Sequence, residues 1–119
     1  MLPPEDVHEI GVDETAELLR LRQIEVRLID CREEEEFAHC RIEGAELIPL
    51  SRFAEEVERR LGSPDVDGDD RPMVVYCHHG MRSMSATRYL RQKGHRRVWS
   101  LRGGIEAWSL EIDPSVARY

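Results

Sequence analysis

The chain has 119 residues, of which 40% are hydrophobic, and a formal net charge of -7. That length supports one core and is too short for two ordinary domains, so residues 1–119 are expected to form a single domain with its core over about 11–112. The acidic balance excludes a general binder of nucleic acid or anionic membrane, because the global field repels polyanions and any anion site must be local.

The predicted elements alternate along the chain. Asp13 caps a helix running to about Gln23, with Ala16, Leu18, Leu19 and Leu21 on its apolar face. Val26-Arg27-Leu28-Ile29-Asp30 reads as a strand, Glu33 to Ala38 as a short helix, and Ala45 to Leu50 as a brief strand closed by Pro49. Ser51 caps a helix to about Leu61, stopped by Gly62, and residues 63–71 form a polar loop. The second half repeats the alternation: a strand from Pro72 to Cys77, a helix from Ser83 to Lys93 ended by Gly94, a strand from Arg97 to Leu101, and a helix opened by Gly103-Gly104 that runs through Trp108. Such alternation implies an α/β domain with a central, mainly parallel sheet covered on both faces, a three-layer α/β/α arrangement. Ligands collect beyond the carboxyl ends of the strands in such sheets. Asp30-Cys31-Arg32, Cys77 to Arg82 and Arg102-Gly103-Gly104 all fall there.

Cys77 is the candidate chemical centre. It ends the apolar run Met73-Val74-Val75-Tyr76 and begins the loop His78-His79-Gly80-Met81-Arg82-Ser83, where backbone N–H groups of loop and helix start converge. A free thiol titrates near ~8.5, and a helix N-terminus with cationic neighbours lowers this to roughly 3.5–7.5, enough for a nucleophile at neutral pH. Gly80 allows backbone conformations that turn successive N–H groups inward, Arg82 adds fixed positive charge, and His78 and His79 add partial charge near neutrality. A ring of inward donors stabilises an anion: the thiolate, a terminal persulfide sulfur or a substrate oxyanion.

Together these segments resemble the rhodanese family of sulfurtransferases. The resemblance rests on Tyr76-Cys77-His78-His79-Gly80-Met81-Arg82-Ser83, Leu28-Ile29-Asp30-Cys31-Arg32-Glu33, the Glu36-Phe37 pair, Ile42-Glu43-Gly44-Ala45 with Ile48-Pro49, and Leu101-Arg102-Gly103-Gly104-Ile105-Glu106-Ala107-Trp108. The ending Ile112-Asp113-Pro114-Ser115-Val116-Ala117-Arg118-Tyr119 is similar to that of rhodanese domains fused to adenylyltransferases of sulfur-carrier pathways. The resemblance implies that Cys77 takes a sulfane sulfur from a small donor such as thiosulfate or a persulfide and passes it to a thiophilic acceptor, which includes a sulfur-carrier or persulfide-bearing protein. It implies no cofactor and no metal. Two segments depart from the family pattern: Cys40-Arg41 stands where the family often has Gly-His, and Asp30-Cys31-Arg32 where it has Asp-Val-Arg.

Loop length separates two chemistries. A related phosphatase group surrounds phosphate with a Cys-x5-Arg loop, whereas Cys77 to Arg82 is Cys-x4-Arg, a smaller ring that suits sulfur. The alternatives are a non-catalytic binding module on the same fold and a phosphatase or arsenate reductase.

Other residues carry plainer readings. Cys31 packs at a strand end and Cys40 at a helix end, with a resolving role for Cys31 if it lies near Cys77. Adjacent His78 and His79 do not converge on one metal ion, and His8, His39 and His95 read as surface residues. Asp30, Arg32 and Arg102 either position the site or brace neighbouring loops, bracing being favoured for the first two. Trp99 and Trp108 read as packing, and the acidic runs Glu33 to Glu36 and Glu55-Glu56-Glu58 as solvated helix faces. Three cysteines, an odd number without ligand spacing, fit a reducing compartment. The start Met1-Leu2-Pro3-Pro4-Glu5-Asp6 lacks the basic and apolar regions of a signal peptide, so a cytoplasmic protein is expected.

Overall fold

The computed structural model describes residues 2–63 and 71–119, so most of the polar loop expected over 63–71 lies outside the described residues. Five strands, β1 (Glu9–Ile10), β2 (Arg27–Asp30), β3 (Glu46–Leu47), β4 (Met73–Tyr76) and β5 (Val98–Leu101), form one sheet in the order β1-β5-β4-β2-β3, and every neighbouring pair is parallel. The helices are α1 (Val12–Leu21), α2 (Glu34–His39), α3 (Phe53–Arg60), α4 (Met81–Gln92) and α5 (Gly104–Glu111), with a 3₁₀ turn over Leu50–Arg52.

The central strands are apolar without interruption because both faces are covered. Val74 and Tyr76 of β4 point to one face, where Val12 and Leu18 of α1 and Ile105 and Trp108 of α5 pack. Met73 and Val75 point to the other, against Phe53 and Val57 of α3 and Ala86 and Leu90 of α4. The protein is thus a three-layer α/β/α sandwich on a parallel sheet. Among the described residues no helix is long and apolar enough to cross a membrane.

The differences from expectation lie at element ends. Strand β1 was not anticipated; two residues carry no periodicity, and the strand exists through its pairing with Ser100 and Leu101. Gly11, not Asp13, caps α1: its N–H donates to Glu14 at 3.2 Å and its carbonyl accepts from the Thr15 hydroxyl at 2.8 Å. Ser51 does not cap α3, because its hydroxyl donates to Glu33 at 2.7 Å and the chain makes a 3₁₀ turn first. Helix α4 starts two residues earlier than expected, directly after Gly80. His95, expected at the surface, is only 6% exposed: past the end of α4 its N–H bonds back to Leu90 at 3.0 Å and the turn folds the ring inward.

Candidate active site

The site sits at the carboxyl edge of the central strands, where β4 gives way to α4. Cys77 leaves the strand buried, and the next residues curl around its sulfur. Gly80, at φ +118°, takes a conformation that side-chain-bearing residues rarely adopt. Its N–H reaches Cys77 Sγ at 3.0 Å, and the Ser83 N–H, in the first turn of α4, reaches the same sulfur at 3.4 Å. The Ser83 hydroxyl lies 3.5 Å from Sγ and 2.7 Å from the Ser100 hydroxyl on β5.

What holds this curl open is the neighbouring helix. Met81 and Arg82 lie in the first turn of α4, directly after the Gly80 cap, where backbone N–H groups have no intrahelical acceptor. The carbonyls of Cys77 and His78 accept from Ile105 N–H at 2.9 Å and Glu106 N–H at 3.1 Å, two donors at the start of α5. Close approach of the two segments requires Gly104: a Cβ there would lie 2.4 Å from the His78 carbonyl oxygen and 2.6 Å from that of Cys77. The Gly103-Gly104 pair is therefore part of the cradle, turning loop carbonyls outward so that loop amides face the sulfur.

The second thiol is closer than spacing alone suggested. Cys31 follows β2 as Cys77 follows β4, and the two strands are paired with Asp30 opposite Tyr76. The Cys31 side chain is the largest of the influences pulling the Cys77 thiol down to about 4. Burial opposes it, and the Ser83 hydroxyl and the Ser83 and Gly80 N–H groups reinforce it. Cys31 moves the opposite way, held protonated by donating to that sulfur, by burial and by the nearby negative charges of Cys77 and Asp30.

The remaining site residues brace the cradle from outside. Arg82 Nη1 and Nη2 donate to the two oxygens of Glu36 at 2.7 and 2.9 Å, so its charge is matched by a carboxylate and it clamps α4 to α2. Glu36, read from sequence as part of a solvated run, is the partner that reading missed. Its carboxyl is held down at about 2 by the Arg82 donors, against burial and with help from the Tyr119 hydroxyl at 2.6 Å. Asp30 and Arg32 form a wholly buried pair at 2.7 Å. Arg32 also donates to the Cys40 carbonyl at 2.5 Å and to Tyr119 Oη at 2.7 Å, joining the ends of β2 and α2 to the chain's last residue. Arg102 is placed elsewhere: it is exposed on the far side of β5 and faces Glu9 at 3.5 Å.

His78 contributes less charge than its type suggests. His78 lies stacked between His79 and Tyr119, each at 4.0 Å between ring centres. Burial first, and then His79, lowers its affinity for a proton, so it is neutral at pH 7. His79 is exposed, and Met81, 84% exposed, stands at the rim. No group of three or more His, Cys, Asp or Glu among the described residues is arranged to hold a metal ion.

These features define a class: a parallel α/β domain presenting a stabilised thiolate in an amide-lined loop at the carboxyl edge of its sheet. The model of the rhodanese-like domain matches residues 13–111, and the chain belongs to that family. It is 36% identical over 83 residues to the thiosulfate sulfurtransferase GlpE of Shewanella oneidensis, covering 70% of this chain and 75% of that protein. It is 34% identical over 98 residues to the rhodanese-like/PpiC domain-containing protein 12, chloroplastic, of Arabidopsis thaliana, covering 80% of this chain but spanning only 31% of that longer relative. The crystal structure of SSP1007 from Staphylococcus saprophyticus matches with a TM-score of 0.73 at 25% identity, over 94% of this chain and 100% of that one.

Proposed function

We propose that the protein is a sulfurtransferase that carries a sulfane sulfur as a persulfide on Cys77. The observation that supports this most is the convergence of the Gly80 and Ser83 amides on Cys77 Sγ at 3.0 and 3.4 Å, with the thiol pulled down to about 4. In the first step the Cys77 thiolate attacks the outer sulfur of a donor such as thiosulfate. The donor's S–S bond breaks, sulfite leaves with the electron pair, and Cys77 keeps the sulfur as a persulfide anion. The terminal sulfur then carries the negative charge, one bond further out. The Met81 and Arg82 N–H groups, in the first turn of α4 where no intrahelical acceptor exists, are the donors suited to receive it. In the second step a thiophile attacks the terminal sulfur and Cys77 leaves as a thiolate, a good leaving group because its proton affinity is low.

The donor is a small anion, and the acceptor is a thiophile, free or borne on a carrier or persulfide protein that meets the exposed rim at His79 and Met81. The chemistry uses no metal and no organic cofactor. The direct test is intact mass after incubation with thiosulfate. The wild-type chain should gain one sulfur and lose it to cyanide, and Cys77→Ser should gain none. A Cys77→Ser protein that still takes up labile sulfur refutes the assignment. Aryl-phosphate hydrolysis in place of sulfur uptake would move the site to phosphoryl chemistry, and neither activity would leave a binding module.

A further inference from the structure

Cys31 has a second use that sulfur transfer does not need. It is fully buried, and Cys77 is 1% exposed. The parallel register that sets Asp30 opposite Tyr76 places Cys31 beside Cys77, and the Cys31 N–H continues the ladder by donating to the Tyr76 carbonyl at 3.0 Å. Residues in register on parallel strands point to the same face, and both side chains lie in the cluster formed with Ile29, Val75 and Ala86. Neighbouring strands run about 4.7–4.9 Å apart, inside the roughly 4.4–6.8 Å over which Cα atoms are bridged by a disulfide. Cys40 lies across the sheet in the other cluster, with its sulfur 3.8 Å from Arg32 Nη1.

We propose that Cys31 is the resolving thiol of a peroxide-driven disulfide with Cys77, which switches the nucleophile off reversibly and guards it from over-oxidation. The substrate of the first step is hydrogen peroxide or a small hydroperoxide. The Cys77 thiolate attacks the distal oxygen, the O–O bond breaks, hydroxide or alkoxide leaves, and Cys77 becomes a sulfenic acid. Cys31 Sγ then attacks Cys77 Sγ. The S–O bond breaks, the thiol proton of Cys31 leaves with the oxygen as water, and the Cys31–Cys77 bond forms. Two equivalents of an external thiol reverse it and are themselves oxidised to a disulfide. Cys31 is wholly buried beside a Cys77 that is 1% exposed, so the two thiols stand together away from bulk solvent.

The test uses the full reduced chain, titrated with hydrogen peroxide, blocked with N-ethylmaleimide and read by intact mass and peptide mapping. Wild type should lose two hydrogens, with the Cys31 and Cys77 peptides joined, and should regain its alkylatable Cys77 after dithiothreitol. Cys40→Val should behave as wild type. Cys31→Val and Cys31→Ala should instead add two or three oxygens at Cys77, which dithiothreitol does not remove. The proposal is overturned if wild type yields the same oxygen adducts at the same peroxide dose, or if its disulfide contains Cys40. Mapping of the wild-type chain alone decides the bond, whatever the variants' stability. The readout is a covalent mass, so it stands or falls separately from the persulfide reading of Cys77.

Discussion

Replacing Cys31 with Val tests how the cradle sets the acidity of Cys77. Cys31 supplies the largest of the influences that bring that thiol down to about 4. A hydrogen bond to a charged group contributes about 1.5–3 kcal/mol, and one pH unit corresponds to about 1.36 kcal/mol, so its loss should raise the Cys77 value by roughly 1–2 units. Val keeps the volume and the burial, leaving the Gly80 and Ser83 donors in place. The assay is the rate of iodoacetamide alkylation of Cys77, read by mass, from about pH 3 to pH 8. The acid limb should move to higher pH by that amount. The plateau near pH 7 should rise about 3- to 10-fold, because thiolate nucleophilicity grows with basicity with a coefficient of about 0.4–0.5. Ser83→Ala should move the limb less, since its hydroxyl stands at 3.5 Å. An acid limb for Cys31→Val that overlays wild type, or moves to lower pH, refutes the reasoning.

Three further substitutions probe the supports. Gly104→Ala places a Cβ 2.4 Å from the His78 oxygen at a φ of +62°, and should cost about 2–3 kcal/mol in chemical denaturation while slowing Cys77 alkylation at pH 7. Asp30→Asn leaves the wholly buried Arg32 without its carboxylate, and should cost about 3–5 kcal/mol by the same measurement. Glu36→Gln removes the acceptor of Arg82 and Tyr119. Arg82 is 35% exposed at its side chain, so after screening the loss should be about 1 kcal/mol, a few degrees in Tm. The Glu36 carboxyl titrates lower folded, at about 2, than unfolded. Its contribution is therefore full above about pH 4.3 and lost as pH falls through the folded value. The Tm gap between wild type and Glu36→Gln should be widest near neutrality and close towards about pH 2.

The order of strands and helices was legible because each buried strand is a short apolar run bounded by turn residues, and each long helix ends near a glycine or a polar break. Met73 to Tyr76 reads as a buried strand and is one, and the loop after it leads into α4, which starts at Met81 in place of Ser83. Within the site, the sequence carried the residues that act through their own backbone: Cys77, Gly80, Ser83 and the Gly103-Gly104 turn. It did not carry the pairings between distant segments. Glu36 and Arg82 are 46 positions apart, and a glutamate in a run of four looks the same whether one member clamps a loop or all face water. Tyr119 meets Arg32 across 87 positions and stacks on His78, again without a local pattern. The nearness of Cys31 had a trace: a cysteine stands at the carboxyl end of each of two predicted strands. That trace becomes a contact only once β2 and β4 are adjacent and in register.

The same register links the two proposals made for this loop, a sulfur cradle and an oxidisable centre. Amides that keep Cys77 ionised make its thiolate available to any electrophile small enough to enter, a sulfane sulfur or a peroxide oxygen alike. The fold draws the Cys77 and His78 carbonyls onto the start of α5 and holds the Gly80 N–H 3.0 Å from the sulfur, in the tight loop set by the Cys-x4-Arg spacing. Size does not separate sulfur from peroxide. The separation has to come after the attack, from what stands behind Cys77. A persulfide directs its charge outward, to the loop amides and an incoming acceptor. A sulfenic acid leaves Cys77 Sγ electrophilic, facing a protonated thiol with a proton to give. In this chain Cys31 lies beside Cys77, so on the proposed reading the residue that departs from the family's Asp-Val-Arg pattern is the one that would distinguish the two products.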